Sequence, residues 1–177
     1  MPQPHRIALL LIALFFFLLL PGKLLAQRYR TAETFSAMMS AYFELAGNGD
    51  TYSFNLEQLF LQNAQFKTGL RIGIGSNFFF LSEEDSTYPI VPVEAVALMG
   101  RRSKHFEFGL GYTRRFTDNP DLLHDMYFGR LGFRYQQPGG GLLVRVALTP
   151  FLSTETNIRT PGPALVPRFG ISIGRSF

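Results

Sequence analysis

Pro167-Arg-Phe-Gly-Ile-Ser-Ile-Gly-Arg-Ser-Phe177 is the stretch from which the rest of the chain is read. Taken with period two, Phe169, Ile171, Ile173, Arg175 and Phe177 share one side, and Gly170, Ser172, Gly174 and Ser176 share the other. A β-strand sends successive side chains to opposite faces, so this strand has one large apolar face and one nearly bare face. Two settings suit it. In a soluble sandwich or barrel the apolar face is core. In an outer-membrane barrel hydrocarbon solvates the apolar face, and a crowded lumen demands small residues on the other. A strand of this kind ending on Phe177 suggests the closing strand of an outer-membrane barrel. Phe169, Ile171, Ile173 and Phe177 would then form the insertion signal read by the barrel-assembly machinery.

Working back from that strand, seven more alternating runs precede it, separated by turn signals. They are Ser40–Gly47, Thr51–Phe60, Gly69–Phe80, Ile90–Gly100, Lys104–Phe116, Tyr127–Gln136 and Leu142–Thr149. The predicted fold is all-β: an eight-stranded antiparallel up-and-down transmembrane β-barrel, preceded by a cleaved signal peptide. The connections are Gly47–Asp50, Leu61–Thr68, Leu81–Pro89, Arg101–Ser103, Thr117–Met126, Gln137–Gly141 and Leu152–Val166. With both termini in the periplasm, the first, third, fifth and seventh are extracellular, and these include the three longest. The second connection and the short first one blur that pattern. In the first, Gly47-Asn-Gly-Asp50 is expected to turn through positive φ at Asn-Gly.

Ahead of the strands, His5 and Arg6 lead into the uncharged run Ile7–Leu20, a Pro21-Gly22 break and Lys23-Leu-Leu-Ala26. A short basic region, a short apolar run and a small residue before Gln27 make a secretory signal peptide over 1–26. The apolar run falls short of the ~20 residues that a spanning helix needs. Residues 27–39 are expected to be a periplasmic lead-in, either a short helix or irregular chain, and 40–177 the barrel. Of 17 basic residues, removal of Arg6 and Lys23 leaves 15 against 13 acidic ones, a balance that gives no reason to expect nucleic acid. With no cysteine there is no disulfide, thiolate metal site, Cys nucleophile or lipoprotein acylation site.

Alternation alone does not separate a membrane barrel from a lipocalin-like soluble barrel, whose lumen is apolar. The polar face does. It carries Gly73, Gly75, Gly109, Gly111, Gly132, Gly170 and Gly174, and after residue 26 only Lys67 and Lys104 are lysines. Glycine weakens a strand and gains nothing facing water, whereas in an eight-stranded lumen it makes room for neighbours. The same face holds Glu44, Glu57, Glu94 and Glu107 with Arg71, Arg130, Arg134 and Arg145, four of each sign. Withdrawn from water these groups must pair, and Arg forks suit packed carboxylates. The expectation is an Arg/Glu network plugging the lumen, against the plainer alternative of a solvated face with chance balance. Aromatics fall near both proposed membrane edges: Tyr52, Phe78, Phe80, Tyr112, Tyr127 and Phe169 outside, Phe60, Phe106, Tyr135 and Phe177 inside.

Tyr42-Phe-Glu-Leu45 before Gly47-Asn-Gly49, Tyr52-Ser-Phe-Asn55 with Glu57, and Gly69-Leu-Arg-Ile-Gly-Ile-Gly75 together resemble a known family. So do Phe106-Glu-Phe-Gly-Leu-Gly111, Gly132-Phe-Arg-Tyr-Gln136, Pro150-Phe151 and Phe169-Gly-Ile-Ser-Ile-Gly174 with Ser176-Phe177. The family is that of small outer-membrane β-barrel proteins of Bacteroidota type, mostly uncharacterised. The resemblance implies location and fold, not a reaction; Arg175 departs from the aromatic usual before Ser-Phe.

Function is then expected to be structural or interactive at the cell surface, through loops 81–89, 117–126 and 152–166, with outer-membrane lipid as surroundings and no cofactor. The alternative is a lipid-modifying enzyme built from His124, Asp118, Asp121, Asp125 and Ser153, for which no local motif speaks. Acidic loop residues Glu83, Glu84 and Asp85 invite divalent cations, but without the spacing of a known calcium loop.

Overall fold

Each of the eight alternating runs forms a strand, and neighbouring strands pair antiparallel all the way round. The computed structural model describes residues 34–63, 65–77, 87–120, 122–153 and 163–177, which belong to one unit. The expected signal peptide, most of the lead-in, Phe78, Phe80, Glu83, Glu84, Asp85 and Asp121 lie outside the described residues.

The strands are β1 (Met39–Ala46), β2 (Tyr52–Gln62), β3 (Phe66–Ser76), β4 (Pro89–Arg101), β5 (Lys104–Arg115) and β6 (Asp125–Gln136). They continue with β7 (Gly141–Leu148), β8 (Phe151–Ser153), β9 (Ala164–Val166) and β10 (Phe169–Ser176). β7 and β8 are two parts of one stave, as are β9 and β10. Leu148 faces Phe169 and Phe151 faces Val166, so the register is unbroken across Pro150 and Pro167. Each proline lacks an N–H and interrupts the ladder without ending the strand. The pairings β1–β10 and β5–β6 close the sheet into an eight-stranded barrel. At the seam Ser40 faces Ser176, and the Met39 and Phe177 amides each donate to the other's carbonyl.

The second connection is shorter than the sequence suggests: β2 runs to Gln62 and β3 begins at Phe66. A register shift between Leu59 and Leu61 marks a β-bulge, after which Phe60 and Leu61 both face outward, 56% and 72% exposed. A bulge breaks the period-two pattern, so the strand's end could not be read from alternation. One end of the barrel therefore carries only tight turns, at 63–65, 102–103 and 137–140. The other carries the long connections 77–88, 116–124 and 154–163 and the short one after β1.

That short connection corrects an expectation. Gly47–Gly49 form one 3-10 turn, and positive φ falls at Ala46, Gly47 and Asp50, not at Asn48-Gly49. The turn bends into the mouth of the barrel, where Gly47, Asn48 and Gly49 are all buried. At the turn end, residues 34–38, the described part of the lead-in before β1, are not helical and lie as a strap across the opening. Ser36 N and Ala37 N both donate to Pro138 O, Met38 O accepts from Leu59 N, and Phe35 packs on Leu59, Val96 and Leu98. Both mouths are thus covered by chain that the barrel itself supplies.

Away from the bulge at Leu59–Leu61, sidedness follows the alternation. Phe54, Leu70, Ile74, Leu110, Leu131, Ile171 and Ile173 are at least half exposed on the outer wall. Glu44, Glu57, Arg71, Glu94, Glu107, Arg130, Arg134 and Arg145 are all buried inside.

Candidate functional site

The polar lumen at mid-barrel gathers all eight charged residues picked out by alternation. Glu44 stands on β1, Glu57 on β2, Arg71 on β3, Glu94 on β4, Glu107 on β5, Arg130 and Arg134 on β6, and Arg145 on β7. Period two fixes which of them point inward; closure brings opposite walls within side-chain reach.

Glu44 joins Arg130 and Arg145 through its two oxygens, at 3.1 and 2.7 Å. Glu94 receives Arg130 Nε at 3.0 Å and pairs with Arg71, which faces it across β3–β4. Glu107 receives Arg145 at 3.0 Å and lies 3.5 Å from Arg134. Glu57 faces Arg71 in the β2–β3 register yet pairs with Arg134, 2.6 Å away on β6. Four carboxylates against four guanidiniums leave the cluster neutral, which is what lets charges persist out of reach of water.

Neutral groups add further hydrogen bonds to the network. Tyr42 stands between two guanidiniums: its hydroxyl accepts from Arg71 at 2.8 Å and Arg145 at 3.2 Å, and the Arg145 guanidinium lies 4.5 Å from its ring centre. Asn48, carried inward by the 3-10 turn, donates to Glu94 Oε2 at 3.0 Å, and Ser172 accepts from Arg145 at 2.9 Å. Tyr42 and Ser172 were marked only by sharing a face with Glu44 and with the glycines. Asn48 had no signal, because a loop residue's inward turn is set by the barrel mouth and not by periodicity.

The glycines work as expected of a crowded interior. A Cβ at Gly109 would collide with the Glu94 carboxylate, and one at Gly170 would press on Glu44 and Gly47.

At the loop mouth a second cluster ties the first turn down. Asp50 pairs with Arg115 at 3.0 Å and with Arg168, and accepts from Tyr88 Oη at 3.3 Å. Burial raises the Asp50 carboxyl, but Arg115 and Arg168 together outweigh it and hold the group below its ordinary value.

Of the residues weighed for catalysis, Asp121 lies outside the described residues. His124 Nε2 lies 3.1 Å from Asn119 O, the Asp125 carboxylate is held by Tyr112 and Arg114, and Ser153 donates to the backbone carbonyl of Asp125. Among the described residues no group of three or more His, Asp or Glu is placed to hold a metal ion. Phe169, Ile171, Ile173 and Phe177 stand on the outer wall, between 49% and 58% exposed.

Fold and site together define a class: a small closed antiparallel barrel with an apolar exterior and a lumen packed with paired charges. No family model matches the chain, and neither the curated proteins nor the solved structures yielded a significant match.

Proposed function

We propose that the chain is an outer-membrane β-barrel whose lumen is plugged by the Arg/Glu network, with a structural or interactive role at the cell surface and no open pore. The observation that carries this is the inversion of polarity. Hydrophobic side chains stand exposed on every stave while arginines and glutamates fill the axis. Soluble monomers rarely expose contiguous apolar patches beyond a few hundred Å². A barrel whose whole wall is apolar matches a hydrocarbon surround, and closure leaves no strand edge unpaired within it. A lipocalin-like carrier would need the reverse arrangement.

On this assignment the tight turns face the periplasm and the connections 77–88, 116–124 and 154–163 face outward, where a surface partner would engage them. Residues 1–26 direct export and are removed. Phe169, Ile171, Ile173 and Phe177 are the features offered to the barrel-assembly machinery, and lipid is the lasting partner of the wall. Fractionation of expressing cells tests the proposal directly. The protein is expected in the outer-membrane fraction, migrating differently on a gel before and after boiling. Recovery in the soluble periplasmic fraction would overturn it.

A further inference from the structure

At the turn end the lumen holds two groups that the Arg/Glu network leaves out. Lys67 on β3 and His105 on β5 are fully buried, and neither Lys67 Nζ nor either His105 ring nitrogen has a hydrogen-bond partner. Arg134 faces His105 from β6, and its Nε is likewise without a partner. Burying an ammonium without a counter-charge is costly, and among the described residues the mouth holds more cation than its carboxylates satisfy.

What lies against both groups is the side chain of the strap. Lys67 Nζ is 4.7 Å from the centre of the Phe35 ring, and the His105 ring meets Phe35 edge to face at 5.1 Å. An aromatic face attracts a cation, but more weakly than an anion does. Besides the packing of Phe35 on Leu59, Val96 and Leu98, hydrogen bonds fasten the strap. The Gln62 amide, brought inward just past the bulge, accepts from Phe35 N at 2.7 Å and donates to Phe35 O at 2.9 Å. Pro138 O receives the next two amides. None of residues 34–38 belongs to a strand of the barrel.

We propose that this mouth is a binding site for a small oxyanion, a phosphate or a carboxylate, with Lys67 and His105 as donors and Phe35 as the stopper that fills it in the unliganded state. Lys67 offers three donors and His105 a ring N–H, and both side chains are buried. The Arg/Glu network forms the floor, so lifting the strap opens a vestibule and not a channel. The site rests on the geometry of the barrel mouth and is independent of whether the outer wall meets lipid.

A gated site binds with an affinity reduced by the fraction of molecules that are open. Gln62→Ala removes the clamp on Phe35 without touching the donors, and is expected to bind inorganic phosphate about tenfold more tightly than the unaltered protein. Phe35→Ala is expected to do the same. Lys67→Met placed in either background abolishes the gain; His105→Gln serves as a second loss variant should Lys67→Met not fold. Calorimetric titration of the refolded full-length barrel reads the effect, with short-chain phosphatidylglycerol as a second probe. Binding of inorganic phosphate marks a free-anion site, and binding of the lipid alone marks a headgroup site. The proposal is overturned if neither probe binds the strap variants, or if binding survives loss of both Lys67 and His105.

Discussion

Glu107 lies within 4 Å of four guanidiniums: Arg145 at 3.0 Å, Arg134 at 3.5 Å, Arg71 at 3.6 Å and Arg130 at 3.8 Å. Arg134 and Arg145 also stand directly opposite each other across β6–β7, a like-charge pairing that opposes strand association unless something sits between them. Glu107 does. Among the described residues Glu44 reaches three arginines, Glu94 two, and Glu57 only Arg134. Breaking a buried pair from one side typically costs ~3–5 kcal/mol, because the partner is left charged and dry. The four Glu→Ala variants should therefore differ in order. Glu107→Ala is expected at or above the top of that range and Glu57→Ala at or below its foot, since Arg134 keeps Glu107. Urea unfolding of the refolded barrel reads this as graded midpoints. Equal losses at Glu107 and Glu57 would show that contact number does not set the contribution. Which charged residues take part was legible in the sequence; who pairs with whom was not, and Asn48 gave no sign. The Glu57–Arg134 contact spans strands β2 and β6, and only closure of the barrel brings them together.

Between residues and the whole, the connecting elements explain most of what alternation concealed. Strand identity survived because each strand has one face against the lumen and one against the exterior. Strand ends shifted where a bulge, a proline or an inward turn broke the period. β8 and β9 extend the last two staves beyond Pro150 and Pro167, into what reads by sequence as loop. The turn after β1 is the instructive element, because Asp50 staples it to Arg115 on β5, to Arg168 before β10 and to Tyr88 before β4. The carboxyl's folded value is depressed, so its contribution is present above the ordinary value near 3.8 and fades as pH falls through the lower folded value. Asp50→Asn is thus expected to destabilise the barrel at neutral pH by ~1–3 kcal/mol. The gap between variant and parent should close progressively below about pH 4. Unfolding midpoints taken from pH 7 down to pH 2.5 check it. A gap that stays constant across that span would mean the carboxylate's charge is not what holds the turn.

For the molecule as a whole, three obstructions lie in series along one axis. The 3-10 turn with Asn48 covers the loop mouth, the Arg/Glu network fills the middle, and the Phe35 strap covers the turn mouth. They differ in how they are held. The first turn is held by the Asp50 ion pairs and the Asn48 hydrogen bond, and the strap by the packing of Phe35 and a few hydrogen bonds. The network, by contrast, is anchored on seven staves and packed against glycines that leave it no slack. An eight-stranded barrel is just wide enough for its own side chains, so removing a cover leaves the narrowest section intact. Asn48→Ala, Phe35→Ala and the two combined are therefore expected to leave a planar bilayer carrying the protein without ion conductance. Discrete openings are expected only from variants that empty the middle, such as Glu107→Ala combined with Arg145→Ala, provided these still fold. The double change removes a matched pair and so avoids stranding one charge, although Arg71, Arg130 and Arg134 then lose a shared partner. Single-channel recording separates the outcomes. Conductance in Phe35→Ala or Asn48→Ala alone would place the resistance at the mouths and make the central charges a lining instead of a plug.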